Sequence, residues 1–129
     1  MKEIKVFVVG SNIDGWIDKV KEYCFDRGEH ISFINPSLYK DGMNDRAFIS
    51  LISHLIHDCD VAIVNTNDFD DMASYELGVI NGINSHGEKF IFTIGIGNKR
   101  EMLPVHAKES ILHFEQFYED AIDFIGLYF

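Results

Sequence analysis

Long apolar runs are missing from this chain of 129 residues. None approaches the roughly 18 consecutive apolar residues that a membrane-spanning helix requires. Met1 to Gly10 holds only a short apolar stretch with no small-residue cleavage pattern, and it reads as a strand rather than a signal peptide. Cysteine is scarce: Cys24 and Cys59 each fall within or at the end of an expected helix, with no metal or redox spacing around them. They read as reduced, partly buried thiols, which fits a cytoplasmic setting. Positive charge is also in deficit, with 11 Lys and Arg against 21 Asp and Glu and a formal net charge of −10. Nucleic acid and anionic membrane surfaces both demand a positive field, so neither is expected as a partner. The one adjacent basic pair is Lys99-Arg100. Repeats, linkers and low-complexity segments are absent too, which leaves a single domain over residues 1–129.

What is present is ample core material: 47% of the residues are hydrophobic and 25% charged, the balance of a globular protein. Short β-branched runs alternate with segments of helical period. Lys5-Val6-Phe7-Val8-Val9, closed by Gly10, reads as a buried strand. The loop Ser11 to Gly15 follows, and Asp14 is a suitable cap for a helix running to about Asp26, with Trp16, Val20 and Tyr23 or Cys24 on its inner face. His30 to Ile34 is a second strand, stopped by Asn35-Pro36. After a polar loop from Ser37 to Asn44, Ala47 to Asp58 has Phe48, Leu51, Ile52, Leu55 and Ile56 at helical spacing. Asp60 to Asn65 is a third strand, and the loop Thr66 to Asp70 leads to a helix from Asp71 to about Asn84 that stops at His86-Gly87. Lys89 to Ile94 is a fourth strand. Gly95 to Glu109 shows little pattern and reads as a long loop. Ile111 to Phe114 is a short fifth strand, and Glu115 to Tyr128 a last helix with Phe117, Ala121, Ile122, Phe124 and Ile125 apolar.

Alternating strands and helices imply a three-layer α/β fold with a five-stranded parallel sheet in the flavodoxin-like order 2-1-3-4-5. Ligands of such sheets bind beyond the C-terminal strand ends where strand order reverses, here between the first and third strands. The loops at Gly10-Asn12 and Asn65-Asp71 are therefore expected to face each other across a cleft.

Glu76 is the most informative residue. Met72, Ala73, Val79, Ile80 and Ile83 surround it at helical neighbour positions, so it lies in the apolar stripe of its own helix. An unpartnered buried carboxylate is costly, yet Glu76 is only about a turn into a helix that starts at the expected cleft, where carboxylates serve ligands. Asp68, Asp70 and Asp71 precede that helix. One of them caps it, and the expected cap is Asp71, which leaves Asp70 to point at a ligand. Three carboxylates there oppose phosphate binding. Gly10-Ser11-Asn12 is a turn whose Ser11 and Asn12 could bond a sugar hydroxyl. His54 and His57 stand three apart on one helix without a third ligand and read as surface residues, so no metal is expected. Phe33, Phe48, Phe90 and Phe92 read as core packing.

The segment Asp70-Asp71-Met72-Ala73-Ser74-Tyr75-Glu76-Leu77-Gly78 resembles the signature of the nucleoside 2-deoxyribosyltransferases: an aspartate, a small-residue stretch, then Glu-Leu-Gly at a helix start. Val6-Phe7-Val8-Val9-Gly10-Ser11 is similar to that family's first strand and turn, and Cys59-Asp60 fits the pattern before the third strand. The related 2-deoxynucleoside 5-monophosphate N-glycosidases share similar stretches. The resemblance implies that Glu76 attacks the anomeric carbon of a 2-deoxynucleoside, that the base departs through an oxocarbenium-like transition state, and that a second base or water takes the sugar. It implies that Asp70 contacts the base, with Gly10, Ser11, Asn12, Asp68 and Ser74 around the substrate. It implies a reaction that needs no cofactor and a homo-oligomer in which a neighbouring subunit completes the site, Asn98 being the nearest candidate for the contributed asparagine. Two positions depart from the family: Phe7 stands where a tyrosine often orients the glutamate, and Ile52 where many members carry an aspartate. The rival expectations are a catalytically idle nucleoside- or nucleotide-binding module and a monophosphate N-glycosidase. A phosphoacceptor receiver domain is set aside, because Gly10-Ser11 and Asn65-Thr66 occupy the places of its aspartates.

Overall fold

The computed structural model describes residues 3–10, 16–26, 30–87 and 89–129. Five strands, β1 (Ile4–Val9), β2 (Ile31–Ile34), β3 (Val61–Asn65), β4 (Phe92–Ile96) and β5 (His113–Glu115), form one sheet in the order β2-β1-β3-β4-β5. All four pairings are parallel. Among the described residues, the α-helices are α1 (Trp16–Asp26), α2 (Asp45–His57), α3 (Asp71–His86) and α4 (Val105–Ser110) between strands and α5 (Tyr118–Tyr128) after the last strand. This is the three-layer α/β architecture expected from the alternation of strand and helix patterns.

The two faces of the sheet follow the period-2 alternation of side chains. Phe7 and Val9 of β1 and Ala62 and Val64 of β3 pack with α2, α3 and α4, against Phe48, Ile52, Leu77, Ile80 and Ala107. Val6 and Val8, Val61 and Ile63, and Ile94 and Ile96 turn the other way, onto Val20 and Cys24 of α1 and Ile122 and Ile125 of α5. Both faces being covered explains why β1 over Val6–Val9 and β3 over Val61–Val64 are apolar at every position rather than alternating.

Several boundaries differ from the sequence reading. The strand expected over Lys89 to Ile94 is β4, Phe92–Ile96. The reason is Asn84, whose side chain accepts from the Ile91 amide at 2.8 Å and donates to the Ile91 carbonyl at 3.1 Å. Asn84 thereby takes the hydrogen bonds a strand neighbour would otherwise make, and Phe90, expected in the core, is 60% exposed. The long loop expected over Gly95 to Glu109 contains the end of β4, a 3-10 turn at Arg100–Met102 and α4, too short to show a helical period. The polar loop after Asn35 contains a 3-10 turn, Pro36–Tyr39. The last helix starts at Tyr118, not Glu115, so Phe117 sits just outside it and is exposed. The expected cap Asp14, and the helix stop at Arg27-Gly28, lie outside the described residues, as does the side chain of Trp16.

Candidate functional site

The chain order reverses between β1 and β3, and the C-terminal ends of these strands meet the start of α3. Glu76, one turn into α3, is 0% exposed. Its Oε1 accepts a hydrogen bond from the Gly10 amide at 2.7 Å. Its Oε2 is buried with no hydrogen-bond partner among the described residues. Burial pushes the carboxyl up to about 8, the Gly10 amide opposes that rise and the nearby Asp70 charge adds to it. The apolar stripe foreseen around Glu76 is real: Ala73, Leu77 and Ile80 are buried, and Met72, Val79 and Ile83 are partly buried against the same core.

Gly10 ends β1 with φ +100, and a side chain there would meet Asp70 Oδ1 at 3.5 Å and the Ala73 side chain at 3.6 Å. Gly10, Asp70 and Glu76 therefore lie together. The end of β1 is held by Asn35, 2% exposed, whose Nδ2 donates to the carbonyls of Val8 at 2.8 Å and Gly10 at 3.0 Å. The sequence marks Asn35 only as a strand stop; its role depends on β2 lying beside β1.

The helix cap is Asp70, not Asp71. Asp70 is extended (φ −109, ψ −179) and its Oδ1 accepts from the Ala73 amide at 2.8 Å, whereas Asp71 is the first helical residue and exposed. Asp70 is thus engaged by its own helix rather than left over for a ligand, yet it also lines a cavity of about 580 Å³ with Thr66, Asn67, Asp71, Ser74 and Lys99. Phe69, Met102, Leu103 and Pro104 supply its apolar wall. Such a volume accommodates a small organic ligand. Of the expected substrate residues, Ser74 lines the cavity and bonds His106 Nε2 at 3.0 Å. Asp68 is exposed and does not line it. Ser11 and Asn12 lie outside the described residues.

Thr66 and Lys99 carry no site signal in their sequence context. They meet because Thr66 Oγ1 donates to the Ile96 carbonyl at 2.9 Å and accepts from the Lys99 amide at 3.4 Å, while the Asn98 amide donates to Asn67 Oδ1 at 3.2 Å. These bonds tie the loop after β3 to the loop after β4. The departures at Phe7 and Ile52 are both fully buried in the core between the sheet and α2, α3 and α4.

Elsewhere the chemistry is quiet. Burial pushes the Cys59 thiol up to about 12, and its Sγ donates to the Leu55 carbonyl at 3.1 Å; Cys24 is buried as well, and neither forms a disulfide. His54 and His57 are exposed, and no cluster of three or more metal-ligating side chains occurs among the described residues. No helix among them is long and apolar enough to cross a membrane.

Fold and site together define a flavodoxin-like α/β domain with a carboxylate buried at its topological switch and, between the start of α3 and the loops after β3 and β4, a ligand-sized cavity that Asp70 lines and Glu76 and Gly10 do not. No family model matches the chain, and no curated protein does. Solved structures share its fold. The TIR domains of the activated Roq1 resistosome, which directly recognizes the pathogen effector XopQ, align with a TM-score of 0.51 at 16% identity, covering 81% of this chain and 67% of that one. A conserved protein from Enterococcus faecalis V583 aligns with a TM-score of 0.58 at 11% identity, covering 97% of this chain and 89% of that one. At such identities the likeness is one of fold.

Proposed function

We propose that this chain cleaves or exchanges the N-glycosidic bond of 2-deoxynucleosides, in the manner of the nucleoside 2-deoxyribosyltransferases its sequence resembles. The observation that carries the reading is Glu76: a fully buried carboxylate at the switch point, with one oxygen anchored by the Gly10 amide and the other without a partner among the described residues. Evolution of a merely structural position would favour an apolar side chain there, since the surroundings offer a single hydrogen bond against a large desolvation cost.

In the proposed reaction the ionised Glu76 attacks the anomeric carbon. The bond from that carbon to the base breaks, and its electron pair leaves with the base, which takes up a proton. The sugar is held as an ester on Glu76. A nitrogen of a second base, or water, then attacks the same carbon, the ester bond breaks and the carboxylate is restored. Anchoring by Gly10 fixes the attacking geometry. Asp70, which caps α3 and also lines the cavity, would assist proton delivery to the departing base. The acidic lining, with Asp70 and Asp71 against Lys99 alone, suits a neutral or protonated base. The reading carries the further expectations of a cytoplasmic homo-oligomer, which solution scattering would test for assembly.

Two observations favour a second reading, an idle nucleoside-binding module: at neutral pH a carboxyl titrating at about 8 is mostly protonated, and the fully buried Phe7 offers no hydroxyl to orient it. Incubating the protein with a panel of deoxynucleosides, with and without a second base, and separating the products by chromatography decides between the two. Released or exchanged base supports the enzyme; saturable binding with no product on any substrate supports the idle module.

A further inference from the structure

Gly10 lies one residue past the ladder that fixes β1. The last pairing of β1 with β2 is Phe7 with Ile34, and the last with β3 is Val9 with Val64. The sheet register therefore does not dictate the tilt of the Val9–Gly10 peptide unit, and at φ +100 the glycine itself is permissive. Yet that unit carries the hydrogen-bond donor that Glu76 has among the described residues, at 2.7 Å.

Asn35 supplies what the sheet does not. Its buried Nδ2 donates to the Val8 carbonyl at 2.8 Å and to the Gly10 carbonyl at 3.0 Å. These carbonyls belong to the peptide units on either side of Val9–Gly10, so that unit is gripped from both ends. Carbonyl oxygens only accept, so the nitrogen of the side-chain amide faces them, and both of its hydrogens are used. Pro36 follows and favours extended backbone at Asn35. Around Glu76, burial and the Asp70 charge oppose ionisation, and the Gly10 amide is the influence that favours it. The other titratable groups about the start of α3 are Asp71, Lys99 and, on α4, His106, which bonds Ser74. From β1, β3 and α2 the core presents Phe7, Val9, Val64, Phe48 and Ile52, all apolar.

We propose that Asn35 is the positioning residue of this site: it aims the Gly10 amide at Glu76 Oε1 and acts on the carboxylate through that amide. The proposal deepens the reading of Glu76 as a nucleophile and rests on it only where turnover is measured. Without Asn35 the Val9–Gly10 unit is free to turn, the bond to Oε1 weakens, and the charged carboxylate loses support that nothing else among the described residues replaces. Truncating a core side chain elsewhere costs stability but leaves this chain of bonds intact.

The test is a pH titration of the full chain by nuclear magnetic resonance, following the Glu76 carboxyl carbon, assigned by its loss in Glu76→Gln. The midpoint, about 8 in wild type, should rise by about one pH unit in Asn35→Ala, the size expected for one weakened hydrogen bond to a charged group. Asn35→Ser, with one donor hydrogen where the amide has two, should move it the same way by less, and it carries the comparison if the alanine variant does not fold. Ile125→Val, a truncation in the core on the other face of the sheet, should leave the midpoint in place. On a 2-deoxynucleoside, Asn35→Ala should lower kcat about tenfold near neutral pH, where the ionised fraction falls by that factor, with KM changed less. A midpoint that rises in Asn35→Ala while wild type turns over no deoxynucleoside supports the positioning role and removes the nucleophile reading. An unchanged or lowered midpoint in a folded Asn35 variant overturns the proposal, and so does an equal rise in Ile125→Val.

Discussion

Glu76 and Gly10 are 66 positions apart in sequence and meet at 2.7 Å, carboxylate oxygen to backbone amide. That single bond joins the end of β1 to the first turns of α3 across the point where the strand order reverses. It also leaves the second oxygen of Glu76 buried and without a partner among the described residues. The site and much of its pH behaviour follow from this pair.

Stability should respond to pH through Glu76. Its folded pKa is raised, from an ordinary 4.5 to about 8, by burial. The folded state therefore holds the proton more tightly than the unfolded chain. The stabilising contribution is full below about pH 4.5 and is lost as pH climbs to about 8, after which it changes no further. Glu76→Gln has no such proton to lose. In denaturant titrations the variant should gain on wild type between pH 5 and pH 8, by on the order of a few kcal/mol. A stability difference that stays flat across this window would show that the carboxyl is not raised.

The same titration should govern activity, with the opposite benefit. Only the ionised carboxylate is a nucleophile, so kcat/KM for a deoxynucleoside should rise with pH and level off above about 8, reporting the free enzyme. A profile that falls from pH 6 to 8 would contradict the assignment.

Two glycines should differ in cost. Gly10→Ala meets the Asp70 and Ala73 side chains at ordinary contact distances and suffers mainly from φ +100, a loss of about 1–2 kcal/mol. Gly97→Ala, at φ +116, would place its side-chain carbon 2.7 Å from Thr66 Oγ1 and 3.0 Å from Asn67, adding about 1–3 kcal/mol of overpacking to the strain. Chemical denaturation should rank Gly97→Ala as the worse. Equal costs would mean that the clamp between the two loops yields freely.

Asn35 should behave as a strut for the end of β1. Asn35→Ala removes both bonds to the Val8 and Gly10 carbonyls and should cost about 1–3 kcal/mol. Asn35→Asp should be worse at neutral pH, because a carboxylate would face two carbonyl oxygens. An aspartate variant as stable as wild type in denaturant titration would refute the role.

Much of this arrangement is legible in the sequence, for identifiable reasons. β1 and β3 declare themselves because their segments buried on both faces, 6–9 and 61–64, are unbroken apolar runs. Glu76 stands out because its helical neighbours are apolar. Other features need the tertiary fold. β4 begins at Phe92 because a side chain on the preceding helix, Asn84, satisfies Ile91. The cap falls on Asp70 rather than its neighbour, a difference of one residue between two identical side chains that local pattern does not resolve. Thr66 and Lys99 gain meaning only when the loops after β3 and β4 are joined by hydrogen bonds between residues some thirty positions apart.

The central claim is that Glu76 carries the sugar as a covalent ester. Its most direct measurement is the mass of the protein, and of its proteolytic peptide containing Glu76, after acid quenching during turnover of a 2-deoxynucleoside. The account predicts one added deoxyribosyl unit on that peptide in wild type, and neither adduct nor product from a folded Glu76→Gln. Turnover by Glu76→Gln at the wild-type rate, or an adduct mapped to a different residue, would contradict it.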